Sequence, residues 1–379
     1  MKKPLLLAAI SLAAILLLAG CGGGGSTAAE AGASAQQAAE AEAAEVATAT
    51  ETNETAEESD LGGSLEADGT SGDKLPDKLP QRSSEPAAVS GSPTVYFTSD
   101  ISAEGLVRIY EALGWTPSGK TAVKISTGEP PASNYLRPEL IGDLVQKLDG
   151  TIVECNTAYG GSRASSAMHR QVAEDHGFTA IADFDLMDEE GEVEWPVTGG
   201  SRLDKIIVGS HAENYTDWVI LSHFKGHAMA GFGGAIKNVG IGISSPSGKV
   251  YVHSAGTRTS GSIMHSDQDE WLEALAEMVS GFRDHVGEEH IIYINVMNRL
   301  SVDCDCDGNP DEPDMHDIGI LASFDPVALD QACVDLVYQA QDSEALVNRI
   351  ESRNGIHTLE HAEEIGLGSR TYELVKIDE

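Results

Sequence analysis

The chain has 379 residues, 41% of them hydrophobic, with 61 acidic against 24 basic side chains and a formal net charge of −37. So large an acidic excess repels nucleic acid and anionic lipid headgroups, and leaves cations or neutral molecules as the partners its bulk charge favours. Five cysteines spread over this length are too few for a disulfide scaffold.

Lys2 and Lys3 precede an apolar run from Pro4 to Leu18. It is too short and wrongly flanked for a permanent membrane span, but it suits the apolar region of an export signal. Leu18, Ala19, Gly20 and Cys21 follow it and resemble the lipobox of bacterial lipoproteins. That likeness implies a signal peptide over 1–20, acyl chains on Cys21, and a protein attached to the bacterial cell membrane on its extracytoplasmic side. Several acyl chains hold a protein far more firmly than one. Residues 22–92 are mainly Gly, Ala, Ser, Thr and Glu with no aromatic residue. Such a segment cannot bury enough apolar surface to offset chain entropy, so 21–92 reads as a lipidated cysteine and a disordered acidic linker. About 70 flexible residues reach roughly 45 Å.

The remainder, 93–379, is long enough to build its own core. Short β-rich runs alternate there with amphipathic ones. Thr94–Thr98 reads as a strand, 103–113 as a helix, 121–126 as a strand, 138–148 as a helix and 151–157 as a strand. A helix over 165–176 is followed by expected strands over 179–183, 205–208 and 217–222. A Gly-rich region comes next, then a helix over 270–285 and strands over 291–296 and 318–323. Asp325 and Pro326 form a helix start, an N-cap acid with proline at the first turn. Cys333 falls on the apolar face of that helix and Cys155 inside a strand, so both read as core. The expected fold is α/β, a mixed and largely parallel sheet with helices on both faces.

Three segments carry candidate chemistry. The first is His223 to Asn238, directly after an apolar strand, where sites form in open α/β sheets. His223 and His227 can move a proton or hold a metal, Lys225 and Lys237 can line the same loop, and Gly231, Gly233 and Gly234 admit a ligand close to the backbone. The competing reading is a strand end with solvated lysines. The second is Asp303-Cys304-Asp305-Cys306-Asp307-Gly308 with Asp314. Its carboxylates stand at calcium-loop spacing, whereas Cys304 and Cys306 offer thiolates to zinc or iron, with His316 a candidate further ligand. A disulfide two residues apart is disfavoured, so both cysteines are expected to be free; an acidic loop with redox-active or inert cysteines is the third alternative. The third segment is Asn156 to Arg163, an anion-binding turn in which Arg163 takes a carboxylate, or else a turn with a solvated arginine.

From Ile125 onward the chain resembles the DUF362 family, some of whose members are associated with iron-sulfur proteins. The blocks carrying this are 156–163, 223–242, 303–307, 317–319 and 325–328. More distantly, His227 to Lys237 and then His253 resemble the nickel-pincer lactate racemases. That likeness implies His227 as a proton-transfer base, Lys237 as the attachment point of a covalent cofactor and His253 as a metal ligand. Asn134 to Pro138 is similar to their Asp-x-x-Arg-Pro segment, which makes Arg137 a candidate clamp for a substrate carboxylate. Asn134 stands where those enzymes have an acid, and Gly-Ala-Ile-Lys where they have Gly-Gly-Arg-Lys.

The expectation is a metal- or cofactor-dependent enzyme, an isomerase or oxidoreductase acting on a small carboxylate. Arg137, Arg163, Lys225 and Asn238 bind substrate, His223, His227 and Lys237 are catalytic, and His253, Cys304, Cys306, Asp303, Asp305 and Asp307 are metal candidates. The metal itself stays open among nickel, iron, zinc and calcium. A non-catalytic lipoprotein that binds a small anion or a metal is the alternative, and an electron-transfer protein ranks after it, because two cysteines do not ligate a cluster.

Overall fold

The computed structural model describes residues 91–263, 267–313 and 315–378. The expected leader, the lipidated Cys21 and nearly all of the linker lie outside these residues, as does Asp314. In chain order the strands and helices are β1 (Thr94–Thr98), α1 (Ala103–Ala112), β2 (Thr121–Lys124), α2 (Pro138–Lys147), β3 (Thr151–Glu154), α3 (Ser166–Asp175), β4 (Phe184–Leu186), β5 (Glu192–Pro196) and β6 (Lys205–Gly209). There follow β7 (Asp217–His223), β8 (Lys225–His227), β9 (Gly231–Gly233), α4 (Ala235–Gly240), α5 (Pro246–His253), α6 (Gln268–Val286) and β10 (Ile291–Met297). The chain continues with β11 (Gly319–Ser323), α7 (Pro326–Gln339), α8 (Glu344–Ser352), α9 (His357–Glu364) and β12 (Glu373–Lys376).

Eight strands form one sheet in the order β12-β1-β11-β10-β7-β2-β3-β4. β11 pairs antiparallel with both β1 and β10, and the other pairings are parallel. The α/β, mixed and largely parallel sheet is therefore present. The central strands bury both faces, which is why they read as continuous apolar runs. Val219 and Leu221 point to one core with Leu106 of α1, Ile141 of α2 and Ala173 of α3. Trp218 and Ile220 point to the other, with Ile236 of α4, Leu275 of α6 and Ala328 of α7. Asp325 caps α7 by accepting the backbone N–H groups of Val327 and Ala328, and Cys333 lies fully in the core.

Two sequence expectations need correction. No strand covers Thr179–Asp183: the chain makes a single 3-10 turn over Phe178–Ala180, and the strand comes later as β4, with Phe184 opposite Ile152. Phe178 is fully buried there, so packing of one aromatic ring overrides the β-preference of its neighbours. The Gly-rich region is not an open loop, since β8 and β9 pair as a hairpin and α4 and α5 follow.

Candidate functional site

Strands β2, β3, β7 and β10 run parallel, so their carboxyl ends open on one edge of the sheet, where a ligand can enter between helices. A cavity of about 150 Å³ lies there. That volume equals roughly five waters at about 30 Å³ each, room for a small molecule. Lys124 and Glu154 come from the ends of β2 and β3, His223 from β7, Lys225 and His227 from β8, Lys237 and Asn238 from α4, and His253 from the end of α5; all line it, together with Arg163, Cys304, Asp305 and Cys306. The structure thus gathers the candidates from all three sequence segments. Arg137, Asp303 and Asp307 are the exceptions. Arg137 sits at the N-cap of α2, outside the cavity lining, stacked over Tyr135 with its guanidinium carbon 3.8 Å from the ring centre and donating to the Ser133 carbonyl.

Against the acidity of the whole chain, the cavity is basic, lined by four lysines and one arginine against two carboxylates. Asp305 is buried and spends both oxygens inside the protein. Oδ1 lies 2.8 Å from Nδ1 of His223, and Oδ2 accepts from the Lys225 ammonium at 2.8 Å. Burial alone would raise the pKa of Asp305, but Lys225 and His223 outweigh it and hold the carboxyl well below the usual range. The second ring nitrogen of His223 lies 2.6 Å from the Asn298 carbonyl, so neither is left over for substrate, and His223 is a structural partner of Asp305.

His227 is different. Its Nδ1 accepts from the backbone N–H groups of Met229 at 3.2 Å and Ala230 at 2.9 Å. Burial, then the charges of Lys237, His253 and Lys225, push its pKa far below the ordinary value. The ring is therefore neutral with its proton on Nε2, a hydrogen-bond donor and not the base its position implied. Trp271 stacks between the two remaining imidazoles, 5.0 Å from the His253 ring centre and 6.4 Å from that of His227.

Lys237 is the amine with no hydrogen-bond or ion-pair partner among the described residues that line this cavity. Burial, reinforced by Lys225, Arg163 and Lys124, lowers its pKa to about 7. Lys124 is lowered to about 8, chiefly by burial, and is held by Glu154 at 3.7 Å and by the Asn238 side-chain oxygen at 3.1 Å. Asn238 is not free for substrate either. Its amide donates to the carbonyls of Lys124 and Leu221 and to Ser222 Oγ, joining α4 to β2 and β7.

Arg163 lies against Glu129, Nε to Oε2 at 3.2 Å, and donates to Tyr159 Oη at 2.8 Å. The backbone N–H of Ser162 bonds the same Glu129 carboxylate. The 156–163 turn does bind an anion, but the anion belongs to the protein. Glu154 is buried in a bonded network with Thr127, at 2.7 Å, and His169, at 2.6 Å.

The acidic loop also departs from expectation. Cys304 and Cys306 are joined by a disulfide, not free, with Cα atoms 5.3 Å apart. The carboxylates of Asp303, Asp305 and Asp307 do not converge on a cation. Asp303 turns to Arg349 at 3.2 Å, Asp305 turns inward, and Asp307 bonds its neighbour Asn309. His316 pairs with Asp342 at 2.8 Å and is not part of the cavity wall. A ring nitrogen of His227 and the two sulfurs lie within 4.8 Å of one another, a His/Cys/Cys group of the kind that can hold a metal ion. With the sulfurs bonded to each other and Nδ1 of His227 engaged by two N–H donors, that group offers no thiolate and no free imidazole lone pair, so a metal does not fit it in this form.

Two residues that sequence reasoning passed over place the rest. Asp330 of α7 accepts from the first two backbone N–H groups of α4, Ala235 at 2.8 Å and Ile236 at 3.0 Å, and so sets the helix that carries Lys237. A Cβ at Gly234 would stand 2.3 Å from Asp330 Oδ1, which is why glycine precedes that helix. Gly226 likewise lets β8 lie against the carbonyl of Val302, 2.2 Å from where its Cβ would be, and thereby sets Lys225 and His227 beside the cysteine loop. A charge inside an apolar strand or helix face, at Lys124, Glu154 and Asp330, was the available signal.

Residues 121–335 match a family model described as "Domain of unknown function (DUF362)". No curated protein matches the chain. Among solved structures, the lactate racemase apoprotein from Thermoanaerobacterium thermosaccharolyticum is similar at 14% identity and a TM-score of 0.36, over 54% of this chain and 50% of that one. A protein from Thermotoga maritima is similar at 11% identity and a TM-score of 0.37, over 69% of this chain and 58% of its own. The chain thus spans about half the length of the solved structures it resembles.

Proposed function

The chain belongs to the DUF362 family, which is defined by sequence and not by a reaction, and from the chemistry of its cavity we propose an enzyme that moves a proton on a small carboxylate. The observation that carries this reading is Lys237, an amine without a hydrogen-bond partner among the described residues, whose pKa of about 7 leaves much of it unprotonated at neutral pH. Lys225 and Arg163 are already neutralised by Asp305 and Glu129, yet the surplus of cationic groups still favours an anion over a neutral ligand. The carboxylate of a substrate sits in that positive field. Lys237 takes the proton from the adjacent carbon, and Nε2–H of His227 donates a hydrogen bond to the oxygen on which charge develops.

A lysine-linked cofactor of the kind carried by the nickel-pincer racemases would find a suitable amine in Lys237, with His253 on the same wall, and would supply the metal. The steps above use only this chain's own side chains. The disulfide suits an oxidising compartment, which supports export and anchoring through Cys21 on the outer face of the cell membrane. Labelling with a fatty acid that disappears in Cys21→Ser tests the anchor.

The reaction is tested by incubating the full chain in D2O with 2-hydroxy and 2-amino carboxylates of three to five carbons and following deuterium at the carbon next to the carboxylate. Exchange that falls by at least about 100-fold in Lys237→Met supports the proposal. Binding of the same acids without exchange, equal in both proteins, supports a non-catalytic anion-binding protein instead.

A further inference from the structure

The cavity holds a second reactive group that proton transfer does not use. Cys304 and Cys306 both line it, and they are joined to each other. The two sulfurs are not equivalent. Cys304 is buried, at 5% exposure, and its Sγ accepts the backbone N–H of Cys306 at 3.2 Å. Cys306 is half-buried and carries no such bond to its sulfur among the described residues.

Disulfides open by thiolate attack along the S–S axis. The rate depends on which sulfur can be reached and on how well the departing sulfur carries negative charge. Access favours attack at Cys306. A backbone N–H aimed at Cys304 Sγ stabilises the thiolate that departs, as does a cavity rich in ammonium groups. The same ammonium groups raise the local concentration of an anionic attacker.

We propose that Cys304–Cys306 is a redox-active disulfide opened by a small anionic thiol, with Cys306 the sulfur attacked and Cys304 the leaving group. In the first step the thiolate RS⁻ bonds to Cys306 Sγ, the S–S bond breaks, and its electron pair stays on Cys304. In the second, another RS⁻ attacks the thiol sulfur of the mixed disulfide, releasing RSSR and a Cys306 thiolate. Two thiols are oxidised to one disulfide, the protein is reduced by two electrons, and the two protons of the thiols go to the cysteines or to solvent. This chemistry stands apart from proton transfer at Lys237, and shares with it only the positive charge of the cavity.

The test uses the full, oxidised chain, treated with mercaptoacetate or with 2-mercaptoethanol at matched thiolate concentration, then alkylated and read by intact and peptide mass. The expected result is opening of Cys304–Cys306 at least about tenfold faster with the anionic thiol, a preference that shrinks as salt is added. Given dithiodiglycolate, the disulfide form of mercaptoacetate, Cys304→Ser should accumulate a mixed disulfide on Cys306 with release of one mercaptoacetate, while Cys306→Ser carries far less adduct on Cys304. Equal or faster opening by the neutral thiol overturns the proposal, as does an adduct mainly on Cys304. So does a wild-type bond that neither thiol opens under conditions that reduce the unfolded chain. The wild-type comparison stands even if a serine variant fails to fold, and Lys237→Met, which ends proton transfer, should still be opened by the thiol.

Discussion

Asp305 and Lys225 meet at 2.8 Å in the wall of the cavity, the acid standing between the two halves of a disulfide. The other oxygen of the carboxylate holds His223, so one buried acid anchors an ammonium and an imidazole from successive strands. Removing one partner of such a group leaves buried charge without compensation, which costs about 3–5 kcal/mol. Asp305→Ala should therefore lower the unfolding free energy by that order in urea titrations.

The same carboxyl sets a pH dependence. Its folded pKa is depressed, so its contribution is whole above the unfolded value of about 4 and is lost as pH falls below it, where the unfolded chain takes up the proton first. Between pH 5 and pH 3 the wild type should lose more stability than Asp305→Asn, as read by urea midpoints. Parallel loss in both proteins would contradict the pairing.

Lys237 works in the opposite range. Its folded pKa of about 7 lies below the unfolded value of about 10.4, so the folded state releases its proton first as pH rises. Wild-type stability should climb relative to Lys237→Met between about pH 7 and about pH 10. Reductive methylation of Lys237, followed by mass mapping, should show its reactivity rising through about pH 7, well below the usual lysine value of about 10.4.

His227 should keep one tautomer. Two backbone N–H groups point at Nδ1, so 15N–1H correlation spectra are expected to show a neutral ring protonated at Nε2 from pH 8 down to pH 5. An imidazolium signal at pH 6 would contradict its assignment as a donor.

Asp330 controls Lys237 from a distance. Asp330→Ala leaves two buried N–H groups of α4 and the Asn295 amide without their acceptor, a loss of about 1–3 kcal/mol for each group left unsatisfied. Beyond the lower urea midpoint, the methylation profile of Lys237 should shift to higher pH as the helix loosens and water reaches the amine. An unchanged profile would reduce Asp330 to a stabilising role.

Much of this architecture was legible before any coordinates. The alternation of apolar runs and amphipathic segments marked β1, β2, β3, β7, β10 and α7 to within a few residues, because strands buried on both faces and helices with one apolar side leave periodic signatures. His223, Lys225, His227, Lys237, Cys304 and Cys306 were each recognised as chemistry-bearing from residue type and position near strand ends, and His253 from the resemblance to the nickel-pincer racemases. What the linear chain determined was this inventory, since side-chain chemistry and local periodicity depend on neighbours in sequence.

Tertiary structure decided the roles. His223 and His227 are four residues apart and chemically identical, yet one is bonded on both nitrogens and the other is a neutral donor, because Asp305 and the Met229 and Ala230 amides reach them from different directions. Arg163 met Glu129, Arg137 met Tyr135, and among the described residues Lys237 alone of the proposed catalytic groups meets no bonded partner. Pairing across 34 or 82 residues depends on which strand ends lie side by side, and a buried group's charge follows from the partners it meets there.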